Sequence, residues 1–208
     1  MIEVREVSLQ IAGCEILREI NLELNEGKIY GLVGRNGSGK TMLMKCICGF
    51  IHPSSGEIIS DGKVIGREMD YLEDAGIILE APGFIPYYSG LRNLRLLADI
   101  HNRLTKNEVV RSMERVGLDP DLKLPVRKYS MGMRQRLGIA QAIMENPRIL
   151  ILDEPMNALD WQGVLDIRRL LLELKEDRII LIASHNREDI EILCDEVYEM
   201  EKGELLER

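Results

Sequence analysis

Gly34-Arg35-Asn36-Gly37-Ser38-Gly39-Lys40-Thr41 has the residue types and spacing to hold a chain of phosphates. Its glycines let consecutive backbone N–H groups curl around phosphate oxygens, and a helix starting at Lys40 adds a fixed partial positive charge. The pattern is G-x-x-x-x-G-K-[ST], in which Lys40 reaches the β- and γ-phosphates and the Thr41 hydroxyl binds Mg²⁺. Further along, the apolar run Ile149-Leu150-Ile151-Leu152 ends in Asp153 and Glu154. An acid at the first place can hold Mg²⁺ through a water, and its neighbour can polarise the water that attacks a γ-phosphate. His185 closes another apolar run, and a neutral imidazole there could donate to the γ-phosphate and keep Glu154 and the water in line.

These groups meet only if the apolar runs are neighbouring strands whose carboxyl ends share one edge, where open α/β sheets bind ligands. The pattern along the chain supplies such strands. Ile2–Leu9 and Ile16–Leu24 alternate as strands around the Ala12-Gly13 turn, and Ile29–Val33 runs straight into the glycine loop. A helix over Lys40–Cys48 stops at Gly49, and Asp61-Gly62 turns a hairpin within Gly56–Ile65. Leu91–Asn102, Lys106–Val116 and Met131–Glu145 have helical spacing, with Thr105 and Glu108 forming a capping box for the second. Strand Ile149–Leu152, helix Trp161–Glu176, strand Arg178–Ser184 and helix Arg187–Cys194 follow. Glu196–Met200, a Lys202-Gly203 turn and a short strand close the chain.

Apolar strands alternating with helices imply a mainly parallel α/β core, preceded by an antiparallel β subdomain. The three helices between about 82 and 146 break the alternation as an inserted helical subdomain. The 208 residues read as a single domain.

Composition excludes several classes. Hydrophobic residues make up 45%, enough for a buried core, and no run approaches the ~18 apolar residues of a membrane span. The start, MIEVREVSLQ, has charges where a signal peptide needs an apolar stretch, so a cytosolic location is expected. A net charge of −8 argues against general affinity for nucleic acid or anionic lipid. Cys14, Cys46, Cys48 and Cys194 are scattered and read as buried free thiols; Cys46 and Cys48, two apart on a helix, cannot clamp one metal ion. His52 and His101 read as surface residues.

A phosphate loop alone does not say which machine it serves. The order of the remaining motifs does: the sequence resembles the ATP-binding subunit of an ABC (ATP-binding cassette) transporter over essentially its whole length. Tyr129-Ser130-Met131-Gly132-Met133 matches the family's signature, usually Leu-Ser-Gly-Gly-Gln, and Arg134-Gln135-Arg136-Leu137 follows it. Ala158-Leu159-Asp160 matches the family's D-loop, and His185 its switch histidine. No N-K-x-D motif of a GTPase is present. Ser130 is also a good helix cap, and Gly132 keeps the first turn of its helix open to close approach.

The resemblance implies a P-loop NTPase fold, ATP and Mg²⁺ as ligands, and ATP hydrolysis. It implies a homodimer closed head to tail around two ATP, with Ser130 of each subunit on the phosphate held by Lys40 of the other. A separately encoded membrane permease would dock on the loop Pro82–Tyr88 and the adjacent helix, placing the chain on the inner face of the cell membrane. A soluble ATPase acting on a cytosolic assembly partner is the alternative.

Three positions depart from the family pattern. Glu80 stands where most relatives have the Gln that contacts Mg²⁺ and the water. The phrase Ile77-Ile78-Leu79-Glu80-Ala81-Pro82-Gly83-Phe84 resembles a bacterial subgroup that exports antibiotics and peptides. Met131 and Met133 replace Gly and Gln in the signature. Ile11 stands about where an aromatic residue normally stacks on adenine.

Overall fold

The computed structural model describes residues 1–80, 83–101 and 104–206, with the backbone alone of His101. Ile2–Ile11 (β1) and Cys14–Leu24 (β2) pair antiparallel. The alternation of β1 slips where Arg5 and Glu6 are both exposed and Glu6 takes φ 49°. This bulge keeps Val4 and Val7 on one buried face. Ser55–Ser60 (β4) and Lys63–Val64 (β5) turn at Asp61-Gly62 and complete a four-stranded sheet of order β2-β1-β4-β5.

The second sheet has six strands: Lys28–Val33 (β3), Ala75–Ile78 (β6), Ile149–Asp153 (β7), Ile179–Ala183 (β8), Glu196–Glu201 (β9) and Glu204–Leu206 (β10). Their order is β10-β9-β3-β8-β7-β6, and every neighbouring pair except β9 with β10 is parallel. Side chains along β7 and β8 sort by parity. Ile149, Ile151, Ile179 and Leu181 join a core with the first sheet, whereas Leu150, Leu152, Ile180 and Ile182 face a core made with helices. A strand buried on both faces must be apolar throughout, which is why these runs carry no polar residue before their ends.

Lys40–Ile47 (α1) leaves β3 through the glycine loop and packs Leu43, Met44 and Ile47 into the first core. Gly90–His101 (α2), Lys106–Arg115 (α3) and Met131–Ile143 (α4) lie between β6 and β7 in sequence. The capping box of α3 forms as its sequence requires, Thr105 accepting from the Glu108 N–H and Glu108 from the Thr105 N–H. Trp161–Leu174 (α5) and Arg187–Leu193 (α6) complete the set. A Cβ on Gly76 of β6 would lie 1.9 Å from the Ala142 carbonyl oxygen, so α4 sits directly on that strand's backbone.

Two details differ from the sequence reading. β6 is a strand that the reading left unassigned, since Ala75-Gly76-Ile77-Ile78 is too short to show a period. Cys14 is exposed at the start of β2, because it sits beside a surface turn; Cys46 and Cys48 are buried and Cys194 is partly buried. Burial pushes the Cys46 thiol up to about 11, and those of Cys48 and Cys194 up to about 12. His52 is exposed, while the His101 side chain, Pro82 at the start of the expected docking loop and Asn102 at the end of its helix lie outside the described residues.

Candidate nucleotide site

Residue Gly34, where β3 ends, has φ 155°, and a Cβ there would lie 2.3 Å from the Met200 carbonyl oxygen of β9. Only a bare backbone passes this point, which brings the loop close over the sheet edge. Lys40 is 7% exposed, and its Nζ donates to the carbonyls of Gly34 at 2.7 Å and Arg35 at 3.1 Å. No ion pair to Lys40 is found among the described residues. Beside it the Ser38 hydroxyl is buried with no hydrogen-bond partner. A buried cation held only by carbonyls, next to an orphaned hydroxyl, is the electrostatic imprint of an anion that belongs there. A phosphate fits both groups.

The Thr41 hydroxyl donates to Asp153 Oδ2 at 2.6 Å, which joins the first turn of α1 to the end of β7. Hydroxyl and carboxylate are the hard oxygen donors that Mg²⁺ takes when phosphates and water complete its shell. Among the described residues no three His, Cys, Asp or Glu side chains gather into a metal site.

Glu154 adopts φ 50° and donates its backbone N–H to the Ala183 carbonyl of β8 at 2.9 Å. Its carboxylate accepts from the His185 backbone N–H at 3.1 Å and lies 2.8 Å from His185 Nδ1. With Nδ1 facing Glu154, the nitrogen left for a phosphate is Nε2, and a ring with one proton donates from one of the two nitrogens. The neutral ring expected from the sequence serves Glu154 or the phosphate, not both.

Glu80 takes φ 65° and pairs with Lys45 Nζ at 2.6 Å. Lys45 drew no notice in the sequence, because nothing local links residues so far apart in the chain. Gln135 stands in the stretch that follows the signature. Its amide donates to the carbonyls of Glu154 at 3.2 Å and Pro155 at 3.0 Å, tying α4 to the end of β7.

A second group gathers at two helix starts. Ser130 caps α4 by accepting from the Met133 N–H at 3.1 Å, and Asp160 caps α5 by accepting from the Gly163 N–H at 3.0 Å. A Cβ on Gly132 would lie 2.7 Å from the Ala158 carbonyl oxygen, so the two starts touch through bare backbone. Arg136 Nη2 lies 3.5 Å from Asp160 Oδ1 and reinforces that contact. Met131 and Trp161, first residues of the two helices, are 74% and 67% exposed, a pair of large apolar groups beside the capped ends. Arg35, Asn36, Gly37 and Gly39 form the rest of the loop, and Ile11 is 43% exposed at the end of β1.

A strand, a glycine loop and a helix on the carboxyl edge of a parallel sheet, with Asp153 on the adjoining strand end, define the P-loop nucleoside triphosphatase class. The ABC transporter family profile matches residues 17–157. An uncharacterized ABC transporter ATP-binding protein of Bacillus subtilis, YybJ, is 42% identical over 206 residues, covering 99% of this chain and 94% of that protein. The bacitracin transport ATP-binding protein BcrA of Enterococcus faecalis is 39% identical over 210 residues, covering 100% of this chain and 68% of that one. A dimeric ATP-binding cassette solved in a post-hydrolysis state with ADP and Pi superposes with a TM-score of 0.88 at 22% identity, over 100% of this chain and 97% of that one. The chain belongs to the ABC transporter ATP-binding family, and its fold is that of the ABC ATPase cassettes.

Proposed function

We propose that this chain is the ATP-hydrolysing subunit of an exporter, and that two copies close around two ATP to drive a membrane permease on a separate polypeptide. The observation that carries this reading is the anion imprint of buried Lys40 and orphaned Ser38, next to Asp153, Glu154 and His185. Lys40 leaves the two loop carbonyls for the β- and γ-phosphates. Thr41 and Asp153 would hold Mg²⁺, which would supply positive charge to offset that of the phosphates. Glu154 takes the proton of the attacking water, and His185 fixes the orientation of that carboxylate. Ser130 and Gly132 of one copy meet the phosphate on the other, and Asp160 positions the junction between copies. Glu80, which follows β6 and pairs with Lys45, takes the place of the usual Gln.

We read the 208 residues as one ATPase domain, with the stretch from about 82 to 146 as its insertion. Export is supported by the names of relatives such as the bacitracin transport protein. No described helix is long and apolar enough to cross a membrane, which suits a subunit working against the inner face of one through a partner. The docking surface is the loop ending at Tyr88 with helix α2. Ile85 and Tyr87 are exposed there, Arg127 lies over the Tyr87 ring and Arg92 over the Tyr88 ring. Aromatic and arginine side chains of this kind anchor protein interfaces.

The test is ATP turnover and co-purification from membranes with a separately encoded permease. Wild type should hydrolyse ATP and Lys40→Ala should lose tight binding and turnover together. Wild-type turnover in Lys40→Ala sinks the site assignment, and failure to retain any permease sinks the exporter reading.

A further inference from the structure

Three carboxylates lie at this edge of the sheet, and a different side chain holds each one. Asp153 has the Thr41 hydroxyl at 2.6 Å, Glu154 has His185 Nδ1 at 2.8 Å, and Glu80 has Lys45 Nζ at 2.6 Å. Thr41 and Lys45 are four residues apart on α1, one turn along the same face. Glu80 follows β6 by two residues, and Ile78 of β6 stands opposite Leu152 of β7. The two strands therefore deliver Glu80 and Asp153 to the same edge.

We propose that Lys45 is a positioning residue whose ammonium neutralises Glu80 and lets a carboxylate stand beside a bound triphosphate. The proposal rests on the nucleotide reading of the site. A free carboxylate next to several phosphate charges weakens anion binding, and a neutral Gln in the same place would not. Lys45 supplies the missing compensation from the helix that begins at the phosphate loop. The Glu80 side chain is 66% exposed and that of Lys45 25%. A pair so open to water adds little to folding. Its effect belongs to nucleotide affinity.

The experiment is calorimetric titration of ATP, with EDTA and separately with Mg²⁺, into wild type, Lys45→Met, Glu80→Gln and the double variant. Thermal midpoints are recorded without nucleotide. Lys45→Met should bind ATP about fivefold more weakly, the scale of one exposed charge pair. With EDTA, Glu80→Gln should bind ATP more tightly than Lys45→Met, and the double variant should match Glu80→Gln within about twofold, with midpoints unchanged. The loss in Lys45→Met should shrink in high salt. If Lys45→Met costs the same in the Glu80→Gln background, the two residues act independently and the proposal fails. A fall in midpoint that accounts for the affinity loss overturns it as well. Absence of ATP binding by wild type would instead overturn the nucleotide reading beneath it.

Discussion

Nδ1 of His185 lies 2.8 Å from Glu154 Oε2, and the His185 backbone N–H meets the other carboxylate oxygen at 3.1 Å. Both oxygens of Glu154 are thus held by one residue at the end of the neighbouring strand. The backbone of Glu154 is itself fixed in a left-handed turn by its bond to Ala183. A non-glycine residue spends on the order of 1–2 kcal/mol to stay there.

Glu154→Gln should therefore bind ATP and hydrolyse it very slowly, because an amide cannot take the water's proton. The arrested state is expected to be a dimer, seen by gel filtration with Mg²⁺ and ATP. His185→Ala should keep ATP affinity within a few-fold and lower turnover by about 10²-fold, the scale of a misplaced catalytic group. Glu154→Gln running as a monomer with unchanged turnover would remove Glu154 from the chemistry.

Gly76→Ala tests the seat of the helix that carries Ser130. Its new methyl would meet the Ala142 carbonyl at 1.9 Å and Leu150 Cδ2 at 2.8 Å, so α4 or β6 must move. Overpacking of this kind costs roughly 1–3 kcal/mol. For a chain of this size that lowers the thermal midpoint by about 3–10 °C. Gly83→Ala is the control, since nothing lies within 4 Å of its added Cβ. Equal midpoints for the two variants would show that the strand–helix contact is looser than drawn.

The features legible in the sequence are those with a local signal. Strand Ile149–Asp153 announces itself because both of its faces are buried, and the glycine loop because phosphate binding needs bare backbone at fixed intervals. Ser130 is readable as a cap from residue type alone, whereas Asp160 enters the sequence reading only through the family's D-loop. What escaped depends on the third dimension. Ala75–Ile78 is four residues long, and its strand state comes from pairing with β7. Lys45 meets Glu80 only after the sheet has formed, and the Nδ1 preference of His185 follows from where Glu154 lies. Cys14 is an apolar-looking residue left in water by the turn before it.

Thiol labelling gives a check on that last point. A thiol reacts as its anion, and burial holds Cys46 near 11 and Cys48 and Cys194 near 12, far above an assay at ~pH 8. Cys14 is free of that burial. An aromatic disulfide reagent should titrate one thiol quickly in the native protein and all four in guanidinium chloride. Two or more fast thiols would mean that the helix end near Cys194, or the core around Cys46 and Cys48, opens readily.

The remaining prediction concerns the base. Ile11 ends β1 opposite Cys14 with 43% of its surface exposed, at the place where family resemblance puts an aromatic platform. Stacking of a base on an aromatic ring contributes on the order of 1–3 kcal/mol. An aliphatic side chain is smaller and not planar, so most of that contribution is absent here. Phosphate and Mg²⁺ contacts, which ATP and GTP share, then supply most of the affinity. Monomer affinity for ATP should be weak, and discrimination against GTP modest. Ile11→Tyr should tighten ATP binding about tenfold, the equivalent of ~1.4 kcal/mol. Titration of both nucleotides against wild type and variant, at constant Mg²⁺, decides the matter. A wild-type preference for ATP beyond about a hundredfold, an energy difference of ~2.8 kcal/mol, would require a polar reader of the adenine edge. Together with a Tyr variant that binds no better, it would place the base away from Ile11.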